Sequence, residues 1–200
     1  MITVETLQFL EDLKANNNRA WFLENKKRYE LFKKDYHQLV AAFLNEMAPL
    51  DGTLENLEVK NCTFRINRDI RFSKNKTPYK THLSIWISAG AKGLNRSGYY
   101  IHIDENECFL GGGLYCPEAP DLKKIRKEIA FFYDDLEAIL NEKEFIEEFD
   151  GFNKSEGNSL KNAPKDFEKN HPAIEYLKLK SFEAIHKFDI SEVTKKDFVA

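Results

Sequence analysis

The sequence of 200 residues contains few cysteines and no long apolar run. Cys62, Cys108 and Cys116 are odd in number and form no Cys-x-x-Cys pair, which argues against a disulfide framework and against a structural zinc site. No apolar stretch approaches the roughly 20 residues that a membrane-spanning helix needs, so no membrane partner is expected. Acidic residues near the start of the sequence do not match a secretory signal, and we therefore expect a cytoplasmic location.

The sequence also lacks the short motifs of well-known catalytic and cofactor sites. It has no His-Glu-x-x-His, no Gly-x-Ser-x-Gly, no Walker-type loop and no dinucleotide fingerprint, so neither a metal nor a cofactor is predicted. The run Gly111-Gly112-Gly113 precedes a predicted helix. Such a run either lets the backbone approach an anion or makes a tight turn, and its spacing favours a turn from strand to helix.

What the sequence does contain is typical of a globular protein. Hydrophobic residues make up 42% of it and aromatic residues 13%, which is enough for a substantial core. Charged residues make up 32%, but their signs nearly cancel to a net charge of −3. This balance argues against a protein that coats nucleic acid by bulk charge. We expect one domain over residues 1–200, in which Ser191 caps the first turn of a helix near the C-terminus.

Hydrophobic periodicity predicts the main elements. Apolar residues at helical spacing predict a short helix over residues 3–14, a long helix over about 19–48 and another over about 121–140. Alternating residues predict strands at 64–72, 81–89, 99–104, 107–110 and 181–188, with a polar loop over 90–98. The fold class is therefore α+β, with a mostly antiparallel sheet of four to six strands covered by the long N-terminal helix and the helix near 121–140.

The segment of residues 64–80 is the most distinctive part of the chain. It holds six cations against the single acid Asp69, although the rest of the chain carries a net charge of −8. A local basic excess within an acidic chain indicates an anion site, because guanidinium groups bind phosphate and carboxylate through paired hydrogen bonds. The six candidate ligand-binding residues are Arg65, Arg68, Arg71, Lys74, Lys76 and Lys80.

A different interpretation of this segment is an exposed strand whose cations balance the acidic residues between 134 and 150. In the predicted strand, Arg65 and Arg71 share the polar face, whereas Arg68 falls in the apolar row. That position requires either a bulge near Asn67 or a buried ion pair for Arg68. The acidic residues themselves are interpreted as a solvated helical face or as a docking surface for a basic partner.

Two candidates outside the segment complete the predicted ligand-binding set, namely Arg126 and His102. His102 and Asp104 alternate onto one face of a strand, and His82 can lie on the same face of the sheet. A metal site or a proton-transfer site would need a third group beside them. The spacing alone supplies no such group, and the catalytic residues stay unknown.

Three functions remain open at this point. The first is a site for a small phosphorylated or carboxylated ligand on residues 65–80. The second is an enzyme, a hydrolase or transferase, that acts on such a ligand with His102 or Asp69 as the proton-transfer group. The third is an interaction protein that pairs its basic loop with an acidic partner. Nucleic acid fits only if the acidic helices lie away from that loop, and the oligomeric state is left open.

Several motifs resemble those of a bacterial and fungal family known as domain of unknown function 2461. The resemblance implies a single intracellular domain, whose C-terminal helix is expected to be lacking or shortened in this chain. It assigns no activity, cofactor or catalytic residue. It covers nearly the whole chain. The matching motifs are Asn17-Asn18, Trp21-Phe22, Tyr29, Arg65-Ile66-x-Arg68-Asp69-Ile70-Arg71-Phe72-Ser73-Lys74-x-Lys76-Thr77-Pro78-Tyr79-Lys80, Gly111-Gly112-Gly113-x-Tyr115-x-Pro117, Ile125-Arg126, His171-Pro172 and Leu177-Lys178-x-Lys180-Ser181-Phe182.

Overall fold

The computed structural model describes residues 1–89 and 96–200, so part of the predicted loop at 90–98 lies outside the described residues. The described residues form two compact units. The first comprises residues 1–89, 99–110 and 187–200, and the second comprises residues 96–98 and 111–186. The expectation of a single domain stays a prediction.

The fold class is α+β, as the sequence predicted. None of the helices in the described ranges is long and apolar enough to cross a membrane. Those ranges contain the α-helices α1 (Val4–Ala15), α2 (Arg19–Glu24), α3 (Lys26–Met47), α4 (Val59–Cys62), α5 (Ala119–Phe131), α6 (Tyr133–Leu140), α7 (Lys143–Phe149) and α8 (Ile174–Leu177). Short 3-10 helices span Gly52–Leu54, Glu156–Asn158 and Ile190–Thr194.

Four antiparallel strands form one sheet with the order β1-β2-β3-β4. Strands β1 and β2 pair so that Leu83 lies opposite Ile103 and Ser84 lies opposite His102. The predicted hairpin and the last strand are therefore confirmed within a few residues. The strands are β1 (Leu83–Ile87), β2 (Gly98–Ile103), β3 (Cys108–Leu114) and β4 (Phe182–Phe188).

The core of the first unit lies between helices α1 and α3 and one face of the sheet. Alternation along β1 and β2 places their aliphatic side chains on this face, as expected for a sheet buried on one side. The buried strand residues are Leu83, Ile85, Ile87, Ile101 and Ile103, and they share the core with Leu39 and Val40 of α3. The opposite face of these strands carries Ser84, Tyr100 and His102, and His82 lies just before β1.

The second unit has its own, smaller core. Ile129 of α5 packs with Leu177 of α8 and with Phe182 of β4. The predicted helix at 121–140 is present but is divided into α5 and α6 at Phe132, whose backbone angles (φ −121°, ψ 41°) are not helical. The eight acidic residues between 134 and 150 are all exposed, which fits the interpretation of a solvated face.

Two predictions about local structure at the ends of elements were wrong. The long N-terminal helix is interrupted at Asn25, whose side chain donates to the carbonyl of Trp21 and accepts from Arg28. Asparagine favours such bonds to nearby groups over a regular helix interior. The cap near the C-terminus is Asp189, which accepts from the backbone of Ser191, and the helix that follows is a 3-10 helix of five residues.

The glycine run does not make a turn from strand to helix, because Gly111-Gly112-Gly113 lies within β3. Gly113 has a φ of +137°, and a Cβ atom there would lie 2.0 Å from the carbonyl oxygen of Phe182. The absence of a side chain therefore lets β3 approach the backbone of β4 closely. Its role in the described structure is strand packing.

Candidate functional site

The predicted strand at residues 64–72 is not formed. The segment has only isolated bridges, between Thr63 and Ile85 and between Asn67 and Tyr79. The amide of Arg68 donates to the carbonyl of Pro78, and the amide of Lys80 donates to that of Ile66. These bonds close residues 69–77 into a loop, so the alternating pattern that predicted a strand does not set the direction of the side chains.

Tyr79 fixes the base of this loop to the N-terminal helices. The side chain of Asn17 accepts from the amide of Tyr79 at 3.1 Å and donates to its carbonyl at 3.0 Å. The ring of Phe22 stacks on that of Tyr79 with 4.1 Å between their centroids. Three of the residues that carry the family resemblance therefore position the loop, and Tyr79 is buried rather than open to a ligand.

Two of the predicted cations are bound by the loop itself. The guanidinium of Arg68 donates to the carbonyl of Thr77 at 3.0 Å and also to its hydroxyl. The ammonium of Lys76 donates to the carbonyl of Ile70 at 2.8 Å. Neither the bulge nor the buried ion pair expected for Arg68 is present in this part of the described chain, because the loop carbonyls satisfy the guanidinium.

Arg71 is paired with its own neighbour. Its guanidinium lies 2.6 Å from the carboxylate of Asp69, and 76% of its side chain is exposed. The bonds from Arg71 lower the pKa of Asp69 below its usual value. Lys74 is also exposed, at the far side of the same loop. This end of the basic segment therefore forms a solvated, internally bonded loop.

The other end of the segment faces a cavity of about 190 Å³ between α3, residues 63–66 and the start of β1. Arg65 and Lys80 line it, together with groups that sequence reasoning did not assign to a site. The complete lining is Tyr29, Phe32, Lys33, Tyr36, His37, Thr63, Phe64, Arg65, Ile66, Lys80, His82, Leu83 and Ser84. Three lysine or arginine side chains and no carboxylate are found among these described residues, so the cavity is electropositive.

The three cations of the cavity differ in their surroundings. Lys33 forms an ion pair with Glu30 at 2.7 Å, one turn earlier on α3. Lys80 lies over the ring of Phe64, with its nitrogen 4.9 Å from the centroid. Arg65 is exposed and makes no hydrogen bond or ion pair with residues 1–89 or 96–200, although it interacts electrostatically with Asp69. The guanidinium of Arg65 is therefore not held in place by a carboxylate or carbonyl of the described residues.

Tyr36 holds the cavity wall together. Its hydroxyl donates to the carbonyl of Ser84 and accepts from the amide of Phe64 at 2.9 Å. These bonds join α3 to β1 and to the segment that carries Arg65. Burial raises the pKa of the Tyr36 phenol, so the hydroxyl remains a neutral donor.

A polar cluster continues from the cavity along the outer face of β1 and β2. The hydroxyl of Tyr100 donates to Ser84 Oγ at 2.9 Å and lies 3.2 Å from His102 Nδ1. The rings of His82 and His102 are 4.8 Å apart. Burial lowers the pKa of His82 to about 4, helped by His102 and Lys80, and burial also lowers the pKa of His102. Both imidazoles are therefore neutral near pH 7.

Arg126 belongs to the second unit. Its guanidinium donates to the carbonyl of Leu179 at 3.0 Å, and its Nε is buried without a hydrogen-bond partner among the described residues. Burial lowers the pKa of Arg126. A packing role accounts for these contacts, and its assignment to a ligand site stays a prediction.

Sequence reasoning missed the contribution of α3 to the cavity, namely Lys33, Tyr36 and His37. A signal was present, because Tyr29, Lys33 and His37 follow each other at intervals of four and so lie on one face of the helix. The spacing does not say what this face borders, and only the tertiary structure places it beside residues 63–66.

Comparison with known proteins gives one finding on identity. No curated protein matches the chain, and no solved structure matches it. A family model described as "Conserved hypothetical protein (DUF2461)" matches residues 5–200. This match covers nearly the whole chain, so the protein belongs to the DUF2461 family, as its motifs had indicated.

Proposed function

We propose that this protein binds a small phosphorylated or carboxylated ligand in the cavity beside α3. The observation that carries the proposal is the lining, which includes the cations Arg65, Lys80 and Lys33, whereas its described residues include no carboxylate. Lys33 is paired with Glu30, which does not line the cavity, so Arg65 carries most of the argument. An anion held there would gain charge-assisted hydrogen bonds, which are about twice as strong as neutral ones. The cytoplasmic location expected from the sequence stays a prediction.

Size limits the class of ligand. The cavity of about 190 Å³ is smaller than the roughly 300 Å³ at which sites for drug-sized molecules begin. It therefore suits inorganic phosphate, a small phosphate ester or a short dicarboxylate better than a nucleotide. The hydroxyls of Ser84 and Thr63 and the imidazole of His82 supply neutral polar groups for the remainder of such a ligand.

The remaining predicted residues have a supporting role in this proposal. Arg68, Arg71, Lys74 and Lys76 keep the neighbouring loop positive, although three of them are engaged by the loop itself. Their charge attracts an anion over a distance of about 8 Å at physiological salt. His102 contacts the cavity wall through Ser84, and Arg126 is the least supported member of the set.

Isothermal titration and thermal-shift measurements with inorganic phosphate, triose phosphates and dicarboxylates test the proposal. The wild-type protein should be stabilised by at least one of these anions. Arg65→Ala should weaken the binding about 10-fold or more, because a hydrogen bond to a charged group contributes about 1.5–3 kcal/mol. Circular dichroism spectra should show that the variant remains folded.

Lys74→Ala is the matched control, since Lys74 is an exposed cation of the same segment that does not line the cavity. Its affinity should stay within about twofold of the wild type. If Arg65→Ala and Lys74→Ala lost the same amount of anion affinity, the loss would reflect the net charge of the protein. That result would overturn the assignment of the ligand to the cavity. No stabilisation by any of the three anion classes would overturn the proposal itself.

A second function, an interaction module, is favoured by one observation on the loop. Phe72 is 95% exposed and is flanked by Arg71, Lys74 and Lys76. The guanidinium of Arg71 lies 5.9 Å from the centre of the Phe72 ring. An exposed apolar side chain beside a cation suits an acidic protein partner with one apolar contact. Loss of co-purifying protein in Phe72→Ala, and release of that protein at high salt, would support this function over the first.

Catalysis by His102 or Asp69 stays a prediction.

A further inference from the structure

His82, His102 and Asp104 converge at the start of β1 and the end of β2. One ligand atom from each side chain lies within 4.8 Å of the other two. All three side chains are partly buried, and the pairing of Leu83 with Ile103 places His82 beside Asp104. We propose that these residues bind one divalent transition-metal ion, of the class of Zn²⁺, Co²⁺ or Fe²⁺.

The donor set decides the class of metal. Two imidazole nitrogens and one carboxylate suit Zn²⁺ and its neighbours, whereas Mg²⁺ and Ca²⁺ prefer oxygen donors. Bonds of about 2.0–2.1 Å to a tetrahedral or octahedral ion require donor atoms about 3 Å apart. The present separation of up to 4.8 Å therefore has to shorten by side-chain rotation when the ion binds. Three protein ligands leave at least one coordination position for water or a bound anion.

The surroundings of the cluster already orient two of its members. His102 Nδ1 lies 3.2 Å from the hydroxyl of Tyr100 and 3.5 Å from that of Ser84. These contacts leave Nε2 as the nitrogen that we assign to the metal. Asp104 Oδ1 accepts from the amide and the side chain of Asn106, both at 2.9 Å, which leaves Oδ2 for the ion. Metal-binding histidines and carboxylates are commonly held by such outer contacts.

Two nearby cations oppose metal binding and restrict which ion can bind. Lys80 and Arg68 both interact electrostatically with His82. They would repel a weakly bound ion, so only an ion that bonds strongly to imidazole is expected here. His82 also lines the cavity, so a metal ion on it would add positive charge to the cavity wall. The metal site does not depend on the anion proposal, because the metal alone is the probe in its test.

The test is a titration of the full chain, freed of metal by a chelator and dialysis, with Co²⁺ and with Zn²⁺. Calorimetry should show one equivalent of each ion, and bound Co²⁺ should produce visible absorption bands. His102→Ala and Asp104→Asn should each weaken the binding at least about 100-fold, and Tyr100→Phe should weaken it about 10-fold. Mg²⁺ should not compete.

His37→Ala is the matched control, because His37 lines the same cavity but is not one of the three ligands. Its metal affinity should equal that of the wild type. Absence of stoichiometric binding to the folded wild-type protein would overturn the proposal. Retained affinity in Asp104→Asn, with a circular dichroism spectrum like that of the wild type, would also overturn it, as would an equal loss in His37→Ala.

Discussion

The two ends of the basic segment carry similar charge and have different surroundings. At one end, Arg71 bonds to Asp69 and Lys76 to a main-chain carbonyl, so these cations are satisfied within the loop. At the other end, Arg65 and Lys80 line a cavity whose described wall has no carboxylate. The density of charge in the sequence is nearly uniform along the segment. The two ends therefore differ in what surrounds their cations: groups of the loop bind Arg71 and Lys76, whereas Arg65 and Lys80 line a cavity.

The same comparison applies to the aromatic residues. Phe32 is 4% exposed and lines the cavity, and its ring centroid lies 5.5 Å from that of Phe9 in the core. Phe72, at the opposite end, is 95% exposed. The cavity thus has walls that belong to the hydrophobic core, whereas the loop depends on local hydrogen bonds. Substitutions at the two ends should differ accordingly.

The largest difference is expected between the two phenylalanines. Phe32→Ala should lower the free energy of unfolding by about 3–5 kcal/mol, because it removes a buried ring and leaves a void beside the cavity. Phe72→Ala should change it by less than about 0.5 kcal/mol, since the ring is in solvent. Urea denaturation of both variants measures the difference. Similar losses would mean that the loop end is as well packed as the cavity end.

A smaller effect is expected when only the hydroxyl of Tyr36 is removed. Tyr36→Phe should lower the free energy of unfolding by about 1–3 kcal/mol, because the amide of Phe64 and the carbonyl of Ser84 each lose a partner. The amide of Phe64 should also exchange its hydrogen faster, which hydrogen-exchange mass spectrometry of residues 63–66 can detect.

Tyr99→Phe is the control for Tyr36→Phe, because among the described residues the hydroxyl of Tyr99 donates to the carboxylate of Asp51, at 3.3 Å and in an exposed position. It should leave both the stability and the exchange of residues 63–66 near the wild-type values. If Tyr36→Phe also left them unchanged, the phenol would not be what holds the cavity wall.

The smallest effect should come from the ion pair of the loop. Asp69→Asn leaves Arg71 without its carboxylate, so the loop should bind anions more strongly while the thermal midpoint stays unchanged. On a phosphate-bearing cation-exchange column, the variant should elute at higher salt than the wild type.

Glu55→Gln makes the same change in net charge at another exposed site of the first unit and controls for it. Asp69→Asn should elute at higher salt than Glu55→Gln, because only the former frees a guanidinium beside other cations. Identical elution of the two variants would show that Asp69 does not neutralise Arg71, and the contrast between the two ends of the segment would weaken.

Much of the fold could be predicted from periodicity. The strands at 83–87, 98–103 and 182–188 and the helices on either side were indicated by apolar residues at intervals of two or of three and four. The prediction failed at residues 64–72, where the alternation was present but the strand was not. There, Asp69 accepts from the amide of Arg71, and the amide of Arg68 bonds to Pro78, so local partners replaced a sheet neighbour.

The candidate site could be predicted only in part. Arg65, Lys80 and His102 were identified from charge and strand position, and His82 and Asp104 were recognised as neighbours on one sheet face. The residues Lys33, Tyr36 and His37 were not, because they are about 30 residues or more from the basic segment in the sequence. The spacing of residues within a helix predicts which of them share a face, but it does not predict which loop that face contacts.

The sequence by itself determined the helical and strand periods, the concentration of cations within an acidic chain and the family of the protein, because these depend on neighbours along the chain. Only the tertiary structure decided which cations have partners. That choice depends on contacts between distant segments, such as Asn17 with Tyr79 and Tyr36 with Phe64. Those contacts fold one end of the basic segment onto α3, where Arg65 meets a cavity in place of a carboxylate.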